Sequence, residues 1–384
     1  MSEWINYKLK DFAFINPRIS LSKGFKAKKV AMESIQPFCK KISNFTIDAY
    51  NGGVKFQNGD TLIARITPSL ENGKTSIVDF LDDNEIGFGS TEFISLREKE
   101  SISDKDFLYY LSISPDFRDV AIQSMTGSSG RQRVDTETVK EYEFFAPLLP
   151  EQKAIASVLS SLDDKIDLLH RQNETLEKMA ETLFRKWFVE DAKEEWEEKP
   201  LSSIAEFLNG LACQKYPPKN NLDRLPVLKI KELSNGFTDN SDWCSSDVNN
   251  KYIIQNGDII FSWSASLIVK IWDGEQCILN QHLFKVSSEN FPKWYYYLWC
   301  KQHLAEFISI STSHATTMGH IKRSDLDSAK VLVPSNQELI IMNNSFEPLI
   351  EKIIANNKQL KKLTQLRDTL LPKLMSGEVR VKLD

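Results

Sequence analysis

The sequence contains an internal repeat, which constrains the fold more than any other feature of the chain. The segment QNGDTLIA (57–64) resembles QNGDIIFS (255–262) at an offset of 198 residues. Further along, an ungapped offset of 187 residues brings together identical pairs, among them Pro147 and Pro334, Lys165 and Lys352, and Leu183 and Leu370. A repeat of this kind indicates that one structural unit occurs twice. The 384 residues are therefore expected to form two divergent copies of one unit.

Each copy begins with short apolar runs separated by Asn, Gly, Asp and Ser, a pattern typical of strands joined by turns. In the first copy these runs are DTLIARI (60–66), TSIVDFL (75–81) and TEFISLR (91–97). Helical patterns interrupt them, for example at 104–113 and 292–308. The sequence therefore predicts an α+β globular domain in each copy, and it leaves the strand order open.

Each copy ends in a long helical segment with the seam of a coiled coil. Apolar residues recur at alternating steps of four and three, from Ile155 to Trp187 and again from Met342 to Leu374. The first helix leads from the first globular domain to the second, and the second helix starts from that second domain. If the two seams pack together, the helices must be antiparallel. Pro348 and Pro372 should bend or shorten the ends of the second helix.

Full pairing of the two seams places Asn173 opposite Asn356 and Arg367 opposite Leu162. Two asparagines that meet in an apolar seam would hydrogen-bond and disfavour slipped registers. The alternative is that each is a half-exposed polar residue that the seam tolerates. We expect the Arg367 side chain to extend outward to solvent.

The predicted fold class is α+β, with two globular domains separated by two long helices that form an antiparallel coiled coil, and with an internal pseudo-twofold repeat. The boundaries follow from the positions of the helical seams. They give a first globular domain at 1–146, a first helical spacer at 147–190, a second globular domain at 191–333 and a second helical spacer at 334–384.

Composition excludes several classes of protein. The chain is 41% hydrophobic and 26% charged, as in ordinary globular proteins. Its five cysteines form no Cys-x-x-Cys pair, so neither a disulfide framework nor a zinc ribbon is expected. No signal peptide or long apolar run occurs, which favours a cytoplasmic protein that does not enter a membrane. The net charge of −5 does not exclude DNA, because binding depends on a local positive face.

Known catalytic motifs are incomplete in this chain. Gly73-Lys74-Thr75 ends like a phosphate-binding loop, but Pro68 occupies the position of its first glycine. The segment GSSG (127–130) lacks the spacing of a nucleophile elbow. The five histidines show no metal-ligand cluster. We therefore expect no catalytic site, no cofactor and no metal in this chain.

Two polar loops in matched places are the candidate binding segments. TGSSGRQRV (126–134) precedes the first long helix, and STSHATTMGHI (311–321) precedes the second. Small residues allow close approach, and Arg, Gln, His, Ser and Thr can contact bases and phosphates. A plain solvated loop has a similar composition, but the recurrence in both copies favours binding. The DNA-binding candidates are Arg65, Lys74, Ser128, Ser129, Arg131, Gln132, Arg133, Trp263, His282, Ser313, His314, Thr316, Thr317 and His320. Of these, Arg65, Lys74, Trp263 and His282 are the weaker candidates, and Trp263 fits a core position better.

The helical segments LPEQKAIASVLSSLDDKIDLLHRQNETLEKMAETLFRKWFVE (149–190) and LRDTLLPKLMSGEVRV (366–381) resemble the two helical regions of the specificity subunit of type I restriction-modification systems. The resemblance is strong in the helices and weak in the globular domains. It implies a non-catalytic subunit that reads a split site in double-stranded DNA, with one half-site for each globular domain. It also implies that the helices space these domains and bind two methyltransferase subunits, that restriction subunits join the complex, and that S-adenosylmethionine and ATP belong to the partners.

A coiled-coil scaffold or adaptor that reads no DNA sequence is the alternative. Its helices would have the same seam, and its polar loops would be ordinary solvated loops. The two interpretations differ in one observable property, because only the specificity subunit would direct its complex to one bipartite sequence in preference to random DNA.

Overall fold

The computed structural model describes residues 3–128, 130–238, 240–313 and 319–382. The chain divides into two units. Unit 1 comprises Met1–Leu168 and Leu363–Asp384, and unit 2 comprises Leu169–Lys362. Each unit therefore contains one α+β globular part together with sections of both long helices.

Unit 1 combines short strands with short helices and the beginning of a long helix. Its strands are β1 (Ile5–Lys8), β2 (Ala13–Ile15), β3 (Lys26–Val30), β4 (Thr46–Ala49), β5 (Lys55–Phe56), β6 (Thr61–Ala64), β7 (Thr75–Ile77), β8 (Gly87–Gly89), β9 (Phe93–Glu98) and β10 (Glu143–Ala146). Its helices are α1 (Leu9–Phe12), α2 (Lys105–Ile113), α3 (Pro115–Gln123), α4 (Thr136–Lys140) and the first part of α5 (Leu149–Arg185).

The strands of unit 1 form two four-stranded sheets, in the orders β2-β9-β6-β7 and β4-β3-β8-β5, and a two-stranded sheet of β1 and β10. The β3–β8 pairing is parallel, whereas the β6–β9 and β6–β7 pairings are antiparallel. All four residues of β6 are buried, and Ile63 packs in one core with Phe107 of α2 and Ile155 of α5. The continuous apolar run of β6 is therefore explained by burial on both faces.

Unit 2 repeats this arrangement. Its strands are β11 (Glu197–Pro200), β12 (Glu206–Asn209), β13 (Leu225–Leu228), β14 (Trp243–Cys244), β15 (Ile253–Ile254), β16 (Ile259–Ser262), β17 (Val269–Ile271), β18 (Cys277–Leu279), β19 (Leu283–Ser287) and β20 (Lys330–Val333). Its helices are α6 (Leu201–Ile204), α7 (Ile230–Asn235), α8 (Lys293–Gln302), α9 (Leu304–Ser313), α10 (Arg323–Ser328) and most of α11 (Asn336–Met375).

The sheets of unit 2 have the orders β12-β19-β16-β17 and β14-β13-β18-β15, and β11 pairs with β20. Strand for strand these are the orders of unit 1, and the β13–β18 pairing is again parallel. The two copies therefore share one topology, which confirms the internal repeat and the α+β fold class. The apolar residues of α8, including Trp294 and Trp299, belong to the core of this unit.

The second long helix does not end early. Helix α11 is continuous through Pro348 and Pro372, so, of the two expected effects, a bend or a shortening, these prolines do not cause the shortening. Each proline removes only one backbone donor. The buried Phe346 and Ile350 on either side of Pro348 fix this part of the helix in the core of unit 2. The first long helix, α5, continues beyond Arg185 as a π-helical turn at Lys186–Glu190.

Within unit 2, α5 and α11 are antiparallel and meet at asparagines. Asn356 Nδ2 donates to Asn173 Oδ1 at 2.9 Å, and Asn173 Nδ2 donates to Asn357 Oδ1 at 2.6 Å. Further along the same pair of segments, Trp187 packs edge to face on Phe346. The expected pairing of Asn173 with Asn356 is present, and Asn357 extends it to a layer of three.

Within unit 1, the two helices carry a buried ion pair. Arg367 is only 5% exposed, so the expectation that it extends to solvent is wrong. Its Nη1 donates to Asp163 Oδ1 at 3.0 Å and to the carbonyl of Phe38 at 3.1 Å, and Tyr110 donates to Asp163 Oδ2 at 2.7 Å. Arg367 therefore faces Asp163, the neighbour of the predicted Leu162, and a carboxylate with hydrogen-bond partners makes its burial possible.

Candidate nucleic-acid interface

In unit 1, three backbone segments meet at one end of the sheet that contains β6 and β9. Arg65 follows β6, and its backbone N–H donates to the carbonyl of Glu92, the residue before β9, at 2.9 Å. The N–H of Val134 donates to the carbonyl of Arg65 at 2.8 Å. The chain therefore places Arg65, Glu92 and Arg133 at the same end of this sheet. We call this end, where β6 ends and β9 begins, the sheet edge.

The side chains at this edge form a charged cluster. Arg133 is exposed, and its Nε and Nη2 donate to the Glu92 carboxylate at 2.9 and 2.6 Å. This is the bidentate arrangement that makes Arg–carboxylate pairs strong and directional. The hydrogen bonds from Arg133 lower the pKa of Glu92, so the carboxylate is ionised at neutral pH. Arg65 lies alongside, where its Nη2 donates to the carbonyl of Val134 at 3.2 Å.

The loop that carries Arg133 is closed at its base by backbone hydrogen bonds. Thr126 and Arg133 exchange two backbone hydrogen bonds of 2.9 Å. Gly127 has a φ of +127°, and a Cβ there would lie 3.1 Å from the carbonyl oxygen of Arg131, so glycine suits this turn. Ser128 and Arg131 are exposed at its tip. The candidate Gln132 is half-buried, and its carbonyl accepts from Thr67 N–H at 3.0 Å.

Lys74 has a mainly structural contact. Its Nζ donates to the carbonyl of Met32 at 2.9 Å, and the side chain is half-buried. Its own carbonyl accepts from the N–H of Ala64, the last residue of β6. The backbone of Lys74 therefore lies beside the end of β6. Its ammonium group hydrogen-bonds the segment around Met32.

In unit 2, the corresponding sheet edge carries aromatic and imidazole rings. Trp263 follows β16, and its ring centroid lies 5.7 Å from that of His282 and 6.4 Å from that of His320. Trp263 is half-buried against Phe284, and its Nε1 donates to Asn209 Oδ1 at 3.2 Å. Trp263 therefore packs on the core through Phe284, as expected. Its other ring neighbours, His282 and His320, are exposed.

The histidines are fixed by neighbouring polar groups. His282 Nδ1 lies 3.3 Å from Ser264 Oγ, and its Nε2 lies 3.4 Å from Gln281 Nε2. His320 forms an antiparallel bridge with Ser264. The structure thus brings three sequence candidates, Trp263, His282 and His320, to one place.

The second polar segment differs from its prediction. Residues 311–313 belong to α9 rather than to a loop, because Ser311 is buried on the same helix as Phe307. The candidates Ser129, His314, Thr316 and Thr317, together with the side chain of Ser313, lie outside the described residues.

Two polar residues of these sites escaped the sequence prediction. The Glu92 carboxylate accepts hydrogen bonds from Arg133, 41 residues away in sequence. Asn209 accepts a hydrogen bond from Trp263, 54 residues away. Glu92 lies inside the run TEFISLR (91–97) that predicts a strand, so no local signal marked it as a site residue. Across the described part of the chain, no helix is both long and apolar enough to pass through a membrane.

Comparison with known proteins agrees with this arrangement of two domains. The family model for the type I restriction modification DNA specificity domain matches the chain twice, at residues 1–178 and 193–365. The chain belongs to this family of DNA specificity subunits.

Two curated relatives and one solved structure are informative. The MjaIX specificity subunit of Methanocaldococcus jannaschii is 29% identical over 302 residues, which cover 72% of this chain and 69% of that protein. The HindI specificity subunit of Haemophilus influenzae is 23% identical, over 84% of this chain and 87% of that one. The crystal structure of a type I restriction-modification S subunit from M. genitalium has a TM-score of 0.56 at 16% identity, covering 100% of this chain and 97% of that chain, and shows the fold.

Proposed function

We propose that this chain is the non-catalytic reading subunit of a type I restriction-modification complex and that it recognises an asymmetric bipartite DNA site. Each globular domain reads one half-site. The observation that carries the proposal is the duplicated sheet edge, which has the same backbone hydrogen bonds in both units but a charged cluster in one and aromatic rings in the other. Equal frameworks with unequal side chains fit two different half-sites.

The candidate residues suit base and phosphate contacts. Arg131 and Arg133 are exposed donors, and Ser128 is exposed beside them. In unit 2, His282 and His320 offer ring nitrogens next to Trp263. Arg, His and Ser are residue types that contact base edges and phosphates. The net charge of −5 is compatible with this role, because the acidic segment 191–198 contributes strongly to it and lies outside both sheet edges.

The long helices serve as the spacer and as the docking surface for two methyltransferase subunits. The apolar seams of α5 and α11 pack against each other, but other apolar residues of these helices are exposed. Among them are Ile340 at 67%, Ile341 at 60% and Met179 at 48%. Contiguous exposed apolar residues favour contact with a partner protein, and Ile340 and Ile341 are neighbours in the sequence. Methylation and cleavage, with S-adenosylmethionine and ATP, belong to the methyltransferase and restriction subunits of the complex, which acts in the cytoplasm.

A domain exchange tests this proposal. Residues 1–146 are replaced by the corresponding domain of another specificity subunit, and the sites methylated by the assembled complex are mapped by sequencing. One half of the bipartite site should change while the other half and the spacer length are retained. A change in both halves, or in neither, would contradict the assignment of one half-site to each domain.

Two further outcomes address the class of protein. A wild-type complex that binds its bipartite sequence no better than random DNA would favour a scaffold without sequence reading. Methylation or cleavage of DNA by the purified chain alone would show that the chain itself is catalytic.

A further inference from the structure

The same turn leads into β6 and into β16, at the end of each strand opposite to the candidate residues. In unit 1 the N–H of Gln57 donates to Asp60 Oδ2 at 2.9 Å, and the N–H of Gly59 donates to the carbonyl of Val78. In unit 2 the N–H of Gln255 donates to Asp258 Oδ2 at 2.9 Å, and the N–H of Gly257 donates to the carbonyl of Trp272. The residues that shape this turn, Gln-Asn-Gly-Asp, are identical in both copies.

The aspartate of each turn is anchored by a cation on the adjacent strand. Arg97 of β9 binds the fully buried Asp60 at 2.7 Å, and Lys285 of β19 binds Asp258 at 2.8 Å. The positions of these cations along their strands differ, but the contact they make is the same. The framework of the sheet that carries each set of candidate residues has therefore been retained.

Three positions at the end of this framework correspond through their backbone contacts. Trp263 N–H donates to the carbonyl of His282, as Arg65 N–H does to Glu92. Ile321 N–H donates to the carbonyl of Trp263 at 3.0 Å, as Val134 N–H does to Arg65. The bridges Ile66–Arg133 and Ser264–His320 correspond as well. Arg65, Glu92 and Arg133 thus occupy the places of Trp263, His282 and His320.

The side chains at these corresponding positions differ in chemical class. Unit 1 has two guanidinium groups around one carboxylate, whereas unit 2 has an indole and two imidazoles. The Gln-Asn-Gly-Asp turn of the same sheet keeps its residues in both units, whereas these three exposed or half-buried positions do not. A complete replacement of side-chain chemistry on a retained backbone is the pattern expected where two domains read different bases.

We propose that these three positions are where the specificities of the two half-sites diverge, and that Glu92 is a positioning residue that orients Arg133 toward a guanine in the first half-site. This inference rests on the proposed function. Glu92 engages Nε and Nη2 of Arg133, and Nη1 has no hydrogen-bond partner among the described residues. Nη1 and the second N–H of Nη2 then form a donor pair that matches O6 and N7 of guanine.

The chemistry of unit 2 is different. Its three rings include no guanidinium, so it lacks this donor pair. The ring nitrogens of His282 and His320 and the apolar face of Trp263 suit a different base edge. The second half-site should therefore not depend on a guanine read in the same manner.

The test uses the intact complex of this chain with its methyltransferase subunits. Glu92→Gln preserves the size of the side chain but removes its charge and the bidentate acceptor, and Arg133→Lys keeps the charge but removes the fork. Competition binding is measured against DNA duplexes in which each base pair of the site is varied in turn. Each variant should relax discrimination at one G·C pair of the first half-site, by roughly ten-fold or more. The second half-site should keep its wild-type preferences.

His282→Gln, at the position that corresponds to Glu92, is the matched control. It should alter preferences in the second half-site and leave the first unchanged. Thermal unfolding of each variant checks that the fold is retained, and the conservative Arg133→Lys provides an independent measurement if Glu92→Gln is unstable.

Two results would overturn the inference while leaving the proposed function intact. One is that Glu92→Gln and Arg133→Lys both keep wild-type preferences at every base pair. The other is that they weaken binding equally for all sequences and lower its salt dependence, which is the behaviour of a phosphate contact. If the wild-type complex shows no sequence preference at all, the proposed function itself fails.

Discussion

At the scale of single residues, the buried pair of Asp163 and Arg367 is specific to unit 1. Both side chains are only 6% exposed. At the offset of 187 residues, the corresponding positions in unit 2 are Ile350 and Ala180, which are buried in its core. An apolar layer is thus sufficient at this place in the repeat. The ion pair has a further role in unit 1, because it also binds the hydroxyl of Tyr110 in α2 and so ties the globular part to the helices.

Removal of one partner of this pair should be costly. Arg367→Met leaves the Asp163 carboxylate buried without its cation, so we expect it to lower the free energy of unfolding by about 3–5 kcal/mol. The double variant Asp163→Ile/Arg367→Met removes both charges and should lose less than Arg367→Met alone. Urea unfolding followed by circular dichroism measures both. A single variant as stable as the wild type would show that water, rather than the protein, solvates Asp163.

At the scale of elements, the beginning of α11 is fixed by a capping box at Ser335 and Glu338. The Ser335 N–H donates to Glu338 Oε2 at 3.0 Å, and the Glu338 N–H donates to Ser335 Oγ at 3.4 Å. This reciprocal pattern satisfies two backbone donors at a helix start. Lys193 and Trp196 also donate to the Glu338 carboxylate, so the segment before β11 is attached to the same helix end.

The ionised carboxylate of Glu338 should make stability depend on pH in the acid range. Hydrogen bonds from Lys193 and Ser335 lower the pKa of Glu338 from 4.5 to about 2. Because the folded-state pKa is the lower one, the stabilisation is complete above pH 4.5 and is lost as the pH falls toward 2. Glu338→Gln keeps a capping side chain but never ionises. Its deficit in unfolding free energy should therefore be largest at pH 6 and shrink between pH 4.5 and 2, as measured by urea unfolding at several pH values.

Two companion variants complete that measurement. Ser335→Ala should cost about 1 kcal/mol at pH 6 through the lost cap. Glu351→Gln removes one exposed carboxylate from the same helix and controls for the change in net charge. A deficit of Glu338→Gln that does not change with pH would contradict the assigned role of its charge.

The sequence predicted those elements whose signals are local or periodic. Asn173 and Asn356 could be paired in advance because both lie on a heptad seam, and strands such as β6 and β9 were visible as apolar runs. Arg367 could not be placed correctly, because the groups that stabilise its burial include the carbonyl of Phe38, far away in sequence. Glu92 was missed for a similar reason, since only the β6–β9 pairing and the returning hairpin bring it to Arg133.

At the scale of the whole molecule, unit 1 is closed by residues from both ends of the sequence. Arg380 Nη2 donates to Glu151 Oε2 at 2.7 Å, and a Cβ on Gly377 would lie 3.2 Å from the ring of Trp4. Leu374 shares a core with Ile155. A transferred first domain must therefore fit the C-terminal segment as well as α5. Donor domains with a hydroxyl at the position of Tyr110 are best for the domain exchange, because they keep Asp163 hydrogen-bonded.

The proposed spacer role of the helices leads to a prediction about the length of DNA between the half-sites. Insertion of seven residues after Leu168 in α5 and after Lys362 in α11, where the two units meet in sequence, preserves the heptad pattern. Seven helical residues add about 10 Å. At 3.4 Å for each base pair, the preferred spacer should lengthen by about three base pairs, with both half-sites unchanged. Mapping of methylated sites for the assembled complex measures this spacing.

An insertion in only one of the two helices is the control for this prediction. Asn173 and Asn356 both lie between the two insertion points and stay paired, but α5 is shifted against α11 in unit 1. Asp163 and Arg367 would then be buried apart from each other, and the complex should lose stability. The double insertion restores the pairing of the seams. If the complex with both insertions assembles, methylates DNA and retains the wild-type spacer, the helices do not set the distance between the half-sites, and the spacing must then be fixed by the methyltransferase subunits that bind them.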